Sequence, residues 1–186
     1  MVSADPRRRV DSSHLPLVVA VTGSRHWAGW RHKRGANAVR RGERLTPEQQ
    51  EQSNVLRALL RKTWATHGST KTKAGDLVPR SVKPILIHGD CEGADWCARF
   101  HASGFGWRIH DEPAPWDAGF AAGPLRNELM IDLVLQYRKH AYPCVLIACP
   151  FPDSRGTWNC VNYAKAQGFE EKGGVILIER SFLGEK

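Results

Sequence analysis

The sequence predicts an α/β domain of Rossmann-like type, a mainly parallel sheet with helices on both faces. Three observations predict it. Short unbroken apolar runs rich in Val, Ile and Leu recur along the chain, and runs without polar alternation suit strands buried on both faces. Amphipathic stretches of helical period separate them. Glycine- and hydroxyl-bearing turns follow the runs, the punctuation expected where a parallel strand gives way to a crossover helix.

In chain order, the first strand is residues 15–21 (LPLVVAV), closed by Thr22-Gly23-Ser24. The next helix carries Leu56, Leu59, Leu60, Thr63 and Trp64 on one face, and ahead of it Thr46, Pro47 and Gln49 supply an N-cap, a first-turn proline and a capping-box partner. A second strand, residues 84–88 (PILIH), leads into a short helix over 94–102 that Gly104 ends, and a weaker strand lies near 107–110. Leu125, Leu129 and Leu133 mark a helix over 124–137; a strand at 144–148 (CVLIA), a helix at 157–167 stopped by Gly168 and a strand at 175–179 (VILIE) complete the pattern.

Two stretches stand outside this alternation, residues 31–45 (RHKRGANAVRRGERL) and 68–83 (GSTKTKAGDLVPRSVK). Both are basic, polar and punctuated by Gly or Pro, and they read as loop insertions. The chain of 186 residues therefore divides into a basic tail, 1–14, and one Rossmann-like domain, 15–186, that carries both insertions.

Composition narrows the function classes. With 41% hydrophobic and 25% charged residues the chain is no disordered tail, and no apolar run approaches the roughly 20 residues of a membrane span. The basic start is followed by a strand-length run rather than a signal-peptide core, so no secretory leader is expected. Five cysteines, at 91, 97, 144, 149 and 160, show neither C-x-x-C nor zinc spacing. They read as reduced, packed thiols of a cytoplasmic protein, with no metal or cofactor implied. The net charge of +8 is uneven: residues 1–83 hold 17 Lys and Arg against 6 Asp and Glu, whereas residues 84–186 hold 10 against 13. The basic excess thus belongs to the tail, the first helix and the insertions, where it offers a polyanion surface or simply a solvated face.

Ligands of open parallel sheets bind off the carboxyl ends of the strands, so the loops after the apolar runs carry the chemistry. Thr22, Gly23, Ser24 and Arg25 combine hydroxyls, a glycine open to close approach and a guanidinium fork, although T-G-S is also a common tight turn. In HGDCEGAD, Gly89 and Gly93 flank a strand-to-helix turn whose amides can face an anion, and Asp95 is either a dipole-stabilising carboxylate or a hydroxyl acceptor. In PAPWDAGFAAGPLRN, Gly123 and Pro124 open a helix that carries Arg126 and Asn127, with Trp116 and Phe120 as flat surfaces for a base. The plainer reading has the aromatics covering the sheet and Arg126 paired with Glu128 or Asp132. Ser154, Gly156 and Thr157 supply hydroxyls and amides at a further helix start.

In this order and spacing, TGSR, HGDCEGAD, PAPWDAGFAAGPLRN and SRGT resemble the YspA-type branch of the SLOG superfamily, which also includes the DNA-processing protein DprA and the LOG phosphoribohydrolases. The resemblance covers about 17–25 and 85–179 and omits the basic stretches. It implies a Rossmann-like fold that recognises nucleotides or nucleotide-derived ligands, in some members in phage or defence-linked settings, and pairing of two copies through helices beside the site. Against the LOG loop P-G-G-x-G-T-x-x-E, residues 152–160 lack both early glycines and place Cys160 where the catalytic glutamate stands, while Arg126 matches the catalytic arginine. A thiol cannot do that carboxylate's work, which leaves Asp95, Asp117 or Glu128 as substitutes.

The favoured expectation is a binding protein, a sensor or sequestering protein for a nucleotide-derived signal. Gly23, Ser24, Gly156 and Thr157 hold its phosphates, Arg25 and Arg126 neutralise charge, and Trp116 or Phe120 stacks on its base. One alternative is nucleotide N-glycosidic hydrolysis with Arg126 as a catalytic group. The other is single-stranded nucleic-acid binding, with Lys and Arg between 31 and 83 on phosphates and Trp27 and Trp30 stacking on bases.

Overall fold

The chain alternates strands and helices from residue 85 onward. A computed structural model describes residues 15–32, 39–41, 45–67, 69–71, 77–79, 82–169 and 174–178; the basic tail lies outside them. In order they form β1 (Val18–Gly23), β2 (Trp30–His32), β3 (Val39–Arg41), α1 (Pro47–His67), β4 (Ser69–Lys71), β5 (Leu77–Pro79), β6 (Ile85–His88), α2 (Ala94–Gly104), β7 (Arg108–Asp111), α3 (Ala122–Lys139), β8 (Cys144–Cys149), α4 (Arg155–Ala166) and β9 (Val175–Leu177). Short 3-10 segments lie at Trp27–Gly29 and Trp116–Ala121.

Five strands make one all-parallel sheet in the order β7-β6-β1-β8-β9. From β1 the chain winds outward to β6 and β7, then returns to β8 on the other side of β1 and continues to β9. That is the doubly wound Rossmann-like arrangement, and it reverses between β1 and β8. Strand periodicity sorts the core into two layers. Leu17, Val19 and Val21 join Leu86, Val145 and Ile147 on one face, under Leu56 and Leu60 of α1 and Cys97, Ala98 and Ala102 of α2. Val18 and Ala20 join Ile87 and Leu146 on the other, under Met130, Ile131 and Val134 of α3 and Cys160 and Ala164 of α4. Each fully buried Val, Leu or Ile side chain contributes about 1.5–3 kcal/mol, so the central strands, apolar on both faces, anchor the fold. β7, the weak run, is an edge strand with both end residues exposed.

The first helix starts as its sequence predicts: Thr46 Oγ1 accepts the Gln49 N–H and Gln49 Oε1 accepts the Thr46 N–H, both at 3.1 Å. Two expectations are corrected. Both basic insertions contain antiparallel hairpins, β2 with β3 and β4 with β5, rather than loops alone; residues 33–38, 42–44, 68, 72–76 and 80–81 lie outside the described residues. Gly104 ends α2 as expected, and the left-handed residue after it is Gly106 at φ +72°. On α3, Leu125 and Leu129 face outward; the buried face is Asn127, Met130, Ile131 and Val134. The two faces are offset by less than a turn, and contact with the sheet decides between them.

Candidate functional site

A cleft of about 640 Å³ opens where the loops after β1 and β8 meet, at the point where the winding reverses. Its walls come from the loop after β1, the 116–127 segment and the start of α4, with Cys91 contributed from the loop after β6.

On the β1 side, Thr22 and Ser24 are buried and Arg25 is exposed. Gly23 has no room for a side chain, since a Cβ would sit 2.8 Å from the Cys149 Cβ and against Ala94. Ser24 extends the sheet by donating its N–H to Cys149 O at 3.0 Å, and its Oγ accepts the His26 N–H at 3.2 Å. Trp27 and Trp30, expected to offer faces to unpaired bases, are buried, Trp27 against Phe151 and Trp30 stacked on Trp96.

The loop after β6 stands behind the cleft. Gly93 adopts φ +77°, and a Cβ there would run into the Ser24–Arg25 backbone. Its N–H donates to Trp30 O at 3.0 Å and the Ala94 N–H to Ser24 O at 3.2 Å, so these opening amides of α2 join loops to one another. Asp95 accepts the Gly89 N–H at 3.1 Å and the Cys91 N–H at 3.3 Å. A side chain at Gly89 would collide with the Arg126 guanidinium. Gly89, Gly93 and Asp95 are therefore not among the residues that line the cleft.

Arg126 lines the cleft, yet its side chain is only 12% exposed and turns inward. Nη1 donates to Gly89 O and lies 3.5 Å from Asp95 Oδ2, and Nε donates to Asn127 Oδ1 at 3.0 Å. The surface pairing with Glu128 or Asp132 is not formed, and Asp132 instead accepts the Tyr163 hydroxyl at 3.0 Å. Asn127 is buried and donates through Nδ2 to Gly156 O at 2.9 Å and Asn159 Oδ1 at 3.0 Å.

At the start of α4, Ser154 turns its hydroxyl back to accept the Phe151 N–H at 2.9 Å and makes no side-chain cap. The Arg155 N–H donates to Asp153 O at 2.8 Å. The Gly156 and Thr157 amides have no protein acceptor among the described residues. Orphan first-turn amides carry partial positive charge and favour an anion. The Arg25 and Arg155 side chains, on opposite walls, also have no partner among the described residues. At the mouth, Trp116 is 63% exposed and Phe120 fully exposed, on a segment kinked at Gly119 and without a buried residue. Gly123 lies beside them, with open space where a side chain would be.

His26, Asp153, Arg155 and Asn159 also line the cleft and escaped the sequence reading. Arg155 lies inside the SRGT motif, and asking which cation accompanies free amides would have found it. Cys160 is fully buried, and burial pushes its thiol up to about 12 despite a hydrogen bond with Thr22. It does not face the cleft.

Among the described residues, His88, Asp90 and Asp111 form a group whose ligand atoms lie within 4.8 Å of one another. The arrangement suits a cation poorly. The Asp90 N–H donates to His88 Nδ1 at 3.1 Å, which puts the ring proton on Nε2, 2.8 Å from Asp111 Oδ1, and Arg99 clamps both oxygens of Asp111. Burial lowers His88 to about 4 against the pull of Asp111, so the ring is neutral near pH 7. No helix among the described residues is long and apolar enough to cross a membrane. No protein-family model, curated protein or solved structure matches the chain.

Proposed function

We propose that the protein binds a nucleotide or nucleotide-derived ligand in the cleft between the ends of β1 and β8. The carrying observation is the pair of unaccepted amides, Gly156 and Thr157, in the first turn of α4. A phosphate there meets two N–H donors and the positive end of a 12-residue helix. Arg25 and Arg155 flank it, and the loop of Thr22, Gly23 and Ser24 forms the opposite wall. Trp116 and Phe120 give a base a face to stack on at the mouth. Arg126 takes a supporting place, because its guanidinium is already engaged by Gly89 O, Asp95 and Asn127. The resemblance to YspA-type SLOG proteins supports the same ligand class, and the five free cysteines support a reducing compartment. The resemblance also supports pairing of two copies, for which Leu125 and Leu129 on α3 are exposed apolar surface.

The hydrolase reading has less support: neither Cys160 nor any of Asp95, Asp117 and Glu128 lines the cleft, where Asp153 is the one carboxylate among the described residues. The nucleic-acid reading loses its stacking residues to the core.

The test is thermal shift across nucleoside mono-, di- and triphosphates and cyclic nucleotides, with native mass spectrometry after incubation in small-molecule cell extract. A ligand at a hundred times its Kd stabilises by about 2.7 kcal/mol. No shift across the panel and no retained mass would refute the reading.

A further inference from the structure

One polar chain runs behind the cleft and ends at the amide proposed to hold phosphate. Its side chains are nearly sealed from solvent, with Asp95 4% and Arg126 12% exposed and Asn127 buried. Asp95 fixes the loop after β6 through the Gly89 and Cys91 amides and faces Arg126 Nη1. Arg126 spans Gly89 O, Asp95 and Asn127 Oδ1. Asn127 in turn donates to Gly156 O and Asn159 Oδ1. The last link matters because Gly156 C=O and Thr157 N–H belong to one planar peptide unit and point in opposite directions. Holding the carbonyl on Asn127 therefore aims the free Thr157 N–H.

We infer that Asp95 is the positioning residue of the ligand site, acting through Arg126 and Asn127 to fix the direction of the Thr157 amide. The inference rests on the nucleotide reading above for its functional consequence, although the mechanical link does not. A guanidinium that loses its buried counter-charge is left with neutral acceptors and is driven toward solvent, which frees Asn127 Oδ1 and with it the amide's orientation.

The link is also proton-sensitive. Burial raises the Asp95 carboxyl to about 6, against the lowering pull of Arg126 and of the two amides, with Asp90 adding to the rise. Three other buried groups near it stay neutral from pH 5 to 7.5. Burial pushes the Cys149 thiol at the end of β8 far up and the Cys160 thiol on α4 to about 12, and it lowers His88 on β6 to about 4. Over that range Asp95 gains a proton on acidification and Arg126 loses its partner.

The experiment follows the Thr157 backbone amide and the Asn127 side-chain amide by ¹⁵N NMR from pH 7.5 to 5, in wild type, Asp95→Asn and Asp90→Asn, alongside AMP binding by calorimetry. Both resonances are expected to titrate with a midpoint near 6 in wild type and Asp90→Asn and to stay flat in Asp95→Asn. AMP affinity is expected to fall about tenfold in Asp95→Asn at pH 7.5, with partial rescue in Asp95→Glu. Flat resonances in wild type, the same titration in Asp95→Asn, or equal AMP affinity in the two proteins would overturn the inference. Titration without AMP binding in wild type would support Asp95's hold on Thr157 and count against the nucleotide reading. Should Asp95→Asn fail to fold, the wild-type titration and Asp95→Glu decide.

Discussion

Replacing Asn127 with alanine removes the side chain that, among the described residues, hydrogen-bonds the start of α3 to the start of α4. Three hydrogen bonds go with it: Arg126 Nε to Oδ1 at 3.0 Å, and Nδ2 to Gly156 O at 2.9 Å and to Asn159 Oδ1 at 3.0 Å. The side chain is only 2% exposed, so water does not readily replace these partners. At about 1 kcal/mol for each bond, with a further contribution from the stranded Arg126 donor, the loss is about 3–4 kcal/mol. In a domain of this size about 1 kcal/mol moves Tm by about 2–4 °C, which puts the expected fall near 6–16 °C. Asn159→Ala loses a single bond and serves as an internal scale, at about 1 kcal/mol. Urea unfolding of both variants, compared at equal m-value, is the assay. An Asn127→Ala cost under about 1 kcal/mol, or one equal to that of Asn159→Ala, would refute the view that Asn127 is the junction of the site.

The other predictions concern charge, protons and thiols. Arg25→Ala and Arg155→Ala each remove an unpartnered cation of the cleft; each is expected to weaken nucleotide binding about tenfold or more while moving Tm by no more than a degree or two, and calorimetry with melting curves checks both halves. The pH dependence of stability carries two opposing contributions. His88, lowered to about 4, contributes stability present above its unfolded value of about 6.5 and lost as pH falls through about 4. Asp95, raised to about 6, contributes stability present below its unfolded value of about 4 and lost as pH rises through about 6. The two slopes offset each other between pH 4 and 6.5, so urea midpoints in wild type should vary little there, whereas Asp95→Asn should lose stability steadily on acidification. A wild-type profile as steep as that of Asp95→Asn would contradict this account. Among the five free cysteines only Cys91 escapes full burial, so iodoacetamide on the native protein should label Cys91 alone by peptide mass mapping. Labelling of Cys160 at a comparable rate would show that α4 does not pack as described.

The elements were legible because each obeys a period that the chain itself carries. Val18–Gly23 and Cys144–Cys149 read as central strands since every second residue must satisfy one of two buried faces, and both faces are apolar. The capping box at Thr46 and Gln49 is local chemistry and appears in the structure as written. Periodicity failed where two faces compete, as on α3, where the Leu125 and Leu129 stripe is exposed because Met130, Ile131 and Val134 meet the sheet. Trp27 and Trp30 misled for a related reason, since composition cannot tell an aromatic in a basic neighbourhood from one that fills the layer beneath α1.

The sequence by itself determined the Rossmann-like class, the strands and the edge of the sheet at which a site had to lie, since hydrophobic period and turn chemistry act over a few residues. Only the tertiary structure decided which members of those loops face the cleft and which support it. Arg126 and Asp95 looked like ligand groups along the chain. In space they are partners across 31 residues, both bonded to Gly89, which donates its N–H to Asp95 and accepts from Arg126 through its carbonyl, while the open amides and the Arg155 guanidinium belong to the start of α4. Side chains in irregular loops take their direction from contacts remote in sequence, and no local pattern encodes that.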